Sequence, residues 1–158
     1  MVETNLLRSL PKIKRDVFQR NQSKTLEHIR VAKEFGKQFF DGSRDYGYGG
    51  YYYDGRWKPV AQDIINHFSL NKGDKILDVG CAKGFLVKDL FDLGIDSYGI
   101  DVSQYAILNS PIEIRDRLLV ASAEKLPFTE NYFKTIISIN TLHNLKRESL
   151  ISALKEIQ

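Results

Sequence analysis

Cysteine is almost missing from this chain of 158 residues. A single one, Cys81, excludes an intramolecular disulfide and any zinc site built from several cysteines. Histidine is also scarce, with three residues, and no His, Cys, Asp or Glu cluster has metal-ligand spacing. No apolar run is long enough to span a bilayer. The opening stretch MVETNLLRSLPKIKRD has no apolar core of signal-peptide length, so the expected location is the cytoplasm. Repeats and low-complexity linkers are lacking too.

What is present suits one globular domain with a sizeable core. Hydrophobic residues make up 42% and charged residues 27%. The net charge of +3 is unevenly spread: residues 1–44 carry ten Lys and Arg against five Asp and Glu, and residues 45–158 carry thirteen against fifteen. A basic arm of this kind either steers toward an anionic substrate, RNA or a membrane surface, or is an ordinary solvated helix face.

The pattern divides the chain. Up to about Asn21 it is polar and unpatterned. From Ser23 to Phe40 the spacing of Leu26, Ile29, Ala32, Phe35 and Phe39 predicts one amphipathic helix. Asp41 to Trp57 holds five glycines and five tyrosines, which predicts an aromatic loop. Pro59 suits the first turn of a further helix, with Val60, Ile64 and Phe68 on one face. From Lys75 strand and helix alternate. KILDV, DSYGID, RLLVAS and KTIISIN read as strands. Helices are expected from Gly84 to Leu93 with Gly94 as the stop, from a Ser103 cap through Asn109, and from Glu148 to Gln158. Such alternation implies a Rossmann-like, doubly wound parallel sheet with helices on both faces, preceded by N-terminal helices. We expect residues 1–57 to form a helical arm and Tyr/Gly-rich cap, and residues 58–158 the sheet domain.

The string ILDVGCAKGFL, residues 76–86, carries the chemistry. An apolar strand runs into Asp78, and Gly80 and Gly84 occupy the turn before a helix, where backbone can approach a ligand closely and free N–H groups face it. The second strand ends at Asp101, where a carboxylate can accept both hydroxyls of a ribose. A nucleoside-containing cofactor at the carboxyl ends of the strands follows. A dinucleotide turn would need glycines where Ala82 and Phe85 stand, so a nicotinamide-dependent oxidoreductase fits poorly.

The chain resembles the class I S-adenosylmethionine-dependent methyltransferases. LDVGCAKG is similar to that family's acid-x-Gly-x-Gly-x-Gly turn, SYGIDVS to its ribose-binding strand end, ASAEKLPFTENYF to its third motif, and KTIISINTLHNL to its fourth strand and the segment beyond. Ala82, Ser122, Lys134 and Asn144 depart from the family pattern. The resemblance implies S-adenosylmethionine as cofactor, held by Asp78, Gly80, Cys81, Ala82, Gly84, Asp101, Val102, Ser103, Ser122, Ala123, Glu124, Ser138 and Ile139. It implies an acceptor side lined by Tyr46, Tyr48, Tyr51, Tyr52, Tyr53, Asn140 and His143, with His143 as the candidate proton acceptor and no metal. It also implies strands 1 to 4 of a seven-stranded sheet, with strand four as an open edge where another chain could pair into a homo-oligomer. The expected activity is methyl transfer to a small-molecule acceptor. An RNA methyltransferase using the basic arm and a non-catalytic cofactor-binding module remain as alternatives.

Overall fold

A string of buried residues, Ile76 to Val79, forms the middle of the sheet in the computed structural model, which describes residues 3–10 and 25–158. Strand β1 (Lys75–Val79) pairs in parallel with β2 (Asp96–Asp101) on one side and with β4 (Thr135–Ile137) on the other. β3 (Leu118–Val120) adds in parallel outside β2, giving the order β3-β2-β1-β4. A strand paired on both edges and covered on both faces has no solvent side, which is why Ile76, Leu77 and Val79 are apolar on both faces, with Asp78 as the one buried charged residue among them.

Side-chain alternation along β1 feeds two cores. Ile76 packs with Val60, Ala61 and Ile64 of α3 (Lys58–Phe68) and Leu86 and Leu90 of α4 (Phe85–Asp92). Leu77 and Val79 pack in another cluster with Ile100, Ala123 and Ala153, the last on α6 (Arg147–Ile157). Helices thus cover both faces, as expected for a doubly wound sheet. The register sets Asp78 opposite Gly99 and Ile137, so its carboxylate emerges near the carboxyl end of the strand on the α3 and α4 side.

The end signals largely act as the sequence suggests. Pro59 lies in the first turn of α3. Gly94, at φ +86°, follows α4, and its N–H donates to the Phe91 carbonyl. The Ser103 hydroxyl accepts from the Ala106 N–H at 3.0 Å and caps α5 (Gln104–Leu108). Two expectations differ. The single helix from Ser23 to Phe40 is two, α1 (Leu26–Lys33) and α2 (Lys37–Asp41), because Phe35 turns left-handed at φ +46° and Gly36 begins the second helix. Its apolar spacing persists across the break, so periodicity alone could not show it. The third and fourth strands are shorter than RLLVAS and KTIISIN. Beyond Ile137 the chain bends away, with the Ser138 hydroxyl donating to the Val79 carbonyl and Asn140 at φ +55°.

Two described stretches of the N-terminal segment pack on the sheet domain. Leu6, Leu7 and Leu10 pack on the α3 core, and Phe40 is buried with Ala82 and Ala106. Residues 11–24, with much of the basic arm and the start of the expected first helix, lie outside the described residues. No helix among the described residues is long and apolar enough to cross a membrane.

Candidate functional site

Three left-handed residues shape the turn after β1. Gly80, Ala82 and Gly84 have φ of +84°, +53° and +73°. The N–H groups of Gly80 and Cys81 both donate to the Ile100 carbonyl, at 2.8 and 2.9 Å, pinning the turn to the end of β2. A Cβ at Gly80 would overlap the Thr141 side chain, and one at Gly84 would lie 2.7 Å from Leu118 and 2.8 Å from Ile114. At Ala82, by contrast, the methyl group is buried against Phe40 and Ala106.

Two carboxylates flank this turn. Asp101 Oδ2 accepts the Ala82 N–H and Oδ1 accepts the Ser103 N–H, both at 2.8 Å. Each oxygen keeps a second lone pair for a ligand. Burial raises the Asp101 pKa, against the pull of those two donors. Asp78 is 5% exposed and has no hydrogen-bond partner among the described residues. Burial, and then the nearby charge of Asp101, push its pKa up to about 7.

Cavities open on both sides of the turn. The larger, about 430 Å³, is walled by Asp78, Leu86, Tyr51, Tyr52, Trp57 and Ile139 among others. The smaller, about 170 Å³, has Asp101, Val102, Ser122 and Ala123 on one wall and Phe35, Phe39 and Phe40 on another. Tyr48, Gly80, Ala82 and Asn140 belong to both, so the two meet at the turn. A third cavity lies away from the turn, between the 126–136 segment and the end of α6.

Several residues singled out in the sequence stand elsewhere. Glu124 is exposed and lines neither meeting cavity; its N–H donates to the Ser122 hydroxyl at 3.2 Å. Ser138 ties β4 to β1, and the Ser103 hydroxyl is engaged as a helix cap. Cys81 borders the larger cavity, but its side chain packs with Val87, Ile107, Ile114 and Leu118. Burial holds its thiol well above the ordinary range, which disfavours the thiolate. His143 is exposed on the short turn Leu142–Asn144 and lines neither cavity, whereas its neighbour Asn144 lines the smaller one. Tyr46 meets His28 edge to face and lines a separate cavity with Ile29 and Ala32, and the Tyr53 hydroxyl donates to Asp89; neither lines the two cavities that meet at the turn.

Residues the sequence did not single out complete the walls. Arg44, Arg56 and Trp57 line the larger cavity and Thr141 the smaller. Lys83, buried inside the glycine turn, binds Asp41. The two arginines bracket the tyrosine-rich stretch, a signal that the sequence did contain. The Lys83 partner was invisible there, because nothing local selects Asp41 over other acids.

Over residues 77–158, a little more than half of the chain, the sequence matches the Methyltransferase domain family. The ubiquinone/menaquinone biosynthesis C-methyltransferase UbiE of Neisseria meningitidis serogroup C is 32% identical over 111 residues, covering 64% of this chain and 42% of that protein. The uncharacterized methyltransferase YdaC of Bacillus subtilis is 26% identical over 96 residues, covering 58% of this chain and 53% of that one. This chain therefore spans about half the length of the curated relatives it matches. Magnesium protoporphyrin IX methyltransferase of Synechocystis PCC 6803, solved with bound S-adenosylmethionine, has the same fold at a TM-score of 0.59 and 18% identity, over 85% of this chain and 72% of that one. The family match, which begins at Leu77 on the strand leading into the glycine turn, and the parallel four-stranded sheet agree: this chain belongs to the class I S-adenosylmethionine-dependent methyltransferases.

Proposed function

We propose that the chain holds S-adenosylmethionine across the two meeting cavities and transfers its methyl group to a small-molecule acceptor in the larger one. One observation carries the reading: a buried, unpartnered Asp78 and a backbone-held Asp101 stand at the ends of adjacent strands, on either side of a turn where a Cβ at Gly80 would not fit. The residues fit the cofactor on those grounds. Asp78 is a carboxylate awaiting a cation, which the cofactor's ammonium would supply. Asp101 has the spare lone pairs for two ribose hydroxyls. Val102, Ser122 and Ala123, facing Phe35 and Phe39, would enclose the base.

The cofactor supplies a methyl group already activated on a sulfonium. The chain's part is positioning and exclusion of water. Tyr48, Tyr51, Tyr52, Asn140 and Ile139 would hold the acceptor against the turn. His143, exposed and outside both walls, is left out of this machinery. In this reading residues 58–158 bind the cofactor, and the segment before them covers it.

Calorimetric titration with S-adenosylmethionine, S-adenosylhomocysteine and NAD tests the proposal. The first two should bind and NAD should not. NAD binding, or no binding of either adenosyl ligand, would overturn it.

A further inference from the structure

Lys83 stands inside the glycine turn, between Ala82 and Gly84, and it is buried. Its neighbour Ala82 is held by the acid proposed for the ribose, since the Ala82 N–H donates to Asp101 Oδ2. The Lys83 ammonium has three N–H donors. It meets three oxygens, both of the Asp41 carboxylate and the Tyr51 carbonyl. The Tyr51 N–H in turn donates to Asp41 Oδ1 at 3.3 Å.

These two partners serve different walls. Asp41 ends α2, whose Phe39 and Phe40 line the smaller cavity. Tyr51 lines the larger one. One side chain of the turn thus references both walls to the backbone against which the cofactor would lie. A buried ion pair adds little stability over apolar packing of the same volume. It differs in direction, because its donors and acceptors fix distance and angle. The wall needs such a fix. Asp78 and Asp101 stand on β1 and β2, whereas Tyr51 lies in a stretch with neither helix nor strand, residues 42–57. A wall that samples several arrangements lowers ligand affinity in proportion to the fraction that is competent.

We propose that Lys83 is a positioning residue for the transfer: through Asp41 and the Tyr51 carbonyl it sets both aromatic walls against the cofactor turn, so that a bound cofactor finds the acceptor wall in place. The proposal rests on the methyl-transfer reading.

The test measures two quantities well below the melting temperature, where a purely structural tie would move neither. One is S-adenosylhomocysteine affinity by calorimetry; the other is amide exchange of residues 41–53 with and without that ligand. In the unmodified chain the ligand should slow exchange of this stretch about tenfold. Lys83→Met, which touches neither Asp78 nor Asp101, should bind about tenfold more weakly and lose most of that slowing. Lys83→Arg, which keeps a cation, should bind at least about threefold tighter than Lys83→Met. If Lys83→Met does not fold, Tyr105→Phe, which removes one bond to Asp41 and leaves the ion pair, should weaken the ligand about threefold. Affinity in the folded variants equal to that of the unmodified chain, exchange indifferent to the ligand, or Lys83→Arg no better than Lys83→Met would each overturn the proposal. If the unmodified chain itself fails to bind S-adenosylhomocysteine, the methyl-transfer reading falls and this proposal with it; if it binds and the variants match it, the proposal alone falls.

Discussion

Both carboxylate oxygens of Asp41 lie 2.7 Å from the Lys83 ammonium, which also donates to the Tyr51 carbonyl at 2.8 Å. The Tyr105 hydroxyl adds a bond to Asp41 Oδ2, at 2.7 Å. This cluster fastens the glycine turn to the start of the tyrosine-rich loop. The Lys83 side chain is 8% exposed and that of Asp41 29%. Asp41→Asn strands a nearly buried cation and should cost about 2–4 kcal/mol. Lys83→Met lets Asp41 turn to water and should cost less, about 1 kcal/mol. Urea unfolding of both variants at pH 7 measures the difference; equal losses would mean the pair acts only through packing.

The same acid sets an acid limit. Burial alone would raise the Asp41 pKa, but Lys83 and then Tyr105 outweigh it and hold the carboxyl below its ordinary range. A pKa depressed in the folded state contributes stability above the unfolded value of about 3.9, lost as pH falls through the folded value. Asp41→Asn should therefore flatten the acid limb of the stability curve below about pH 4.

Asp78 works in the opposite sense. Its pKa is pushed up to about 7, above the unfolded value of about 3.9, so the folded state binds the extra proton between those limits. Stability of the ligand-free protein falls as pH rises from about 4 to 7. Asp78→Asn should stabilise the ligand-free protein at pH 8 by on the order of 2–4 kcal/mol, with no gain near pH 4. The same variant should lose S-adenosylhomocysteine affinity. Stability curves that run parallel for the two proteins across this range would show that Asp78 is solvated.

Gly80 combines φ +84° with a Cβ position filled by Thr141. Gly80→Ala should destabilise by about 2–4 kcal/mol, from backbone strain plus overlap. Adding Thr141→Ala should restore only part of this, because the strain in φ remains. Full recovery in thermal unfolding would assign the whole effect to side-chain overlap.

Among the tyrosines, Tyr51 stacks on Phe85 with ring centroids 4.7 Å apart and its hydroxyl pKa is raised by burial, whereas Tyr52 is 70% exposed. Tyr51→Ala should cost about 3 kcal/mol of stability. Tyr52→Ala should leave the melting temperature unchanged and weaken acceptor binding. A melting temperature that falls equally in both would make the loop a uniform core element.

The sequence made the sheet readable because Ile76, Leu77 and Val79 are apolar on both faces, interrupted only by Asp78 and followed at once by Gly80, a local signal with one physical outcome. Asp78 and Asp101 were legible for the same reason: strand ends project their side chains to one rim. The break at Phe35 was not, since the apolar spacing continues through it and the left-handed turn is accompanied by a tertiary contact, the Ser103 hydroxyl bonding the Phe35 carbonyl. Likewise, the division of the five tyrosines between cavity and core depends on which partners the folded chain offers: Phe85 for Tyr51, Asp89 for Tyr53 and His28 for Tyr46.

The bond from Ser103 to Phe35 spans 68 positions along the chain, that from Tyr105 to Asp41 64, and that from Lys83 to Asp41 42. Each closes a long loop, which is costly until other contacts, such as the pairing of β1 with β2, compensate. The aromatic walls are therefore expected to assemble after the sheet and to open before it. Amide protons of residues 35–53 should exchange with solvent through local opening, on a faster timescale than those of β1, which wait for the sheet itself to unfold.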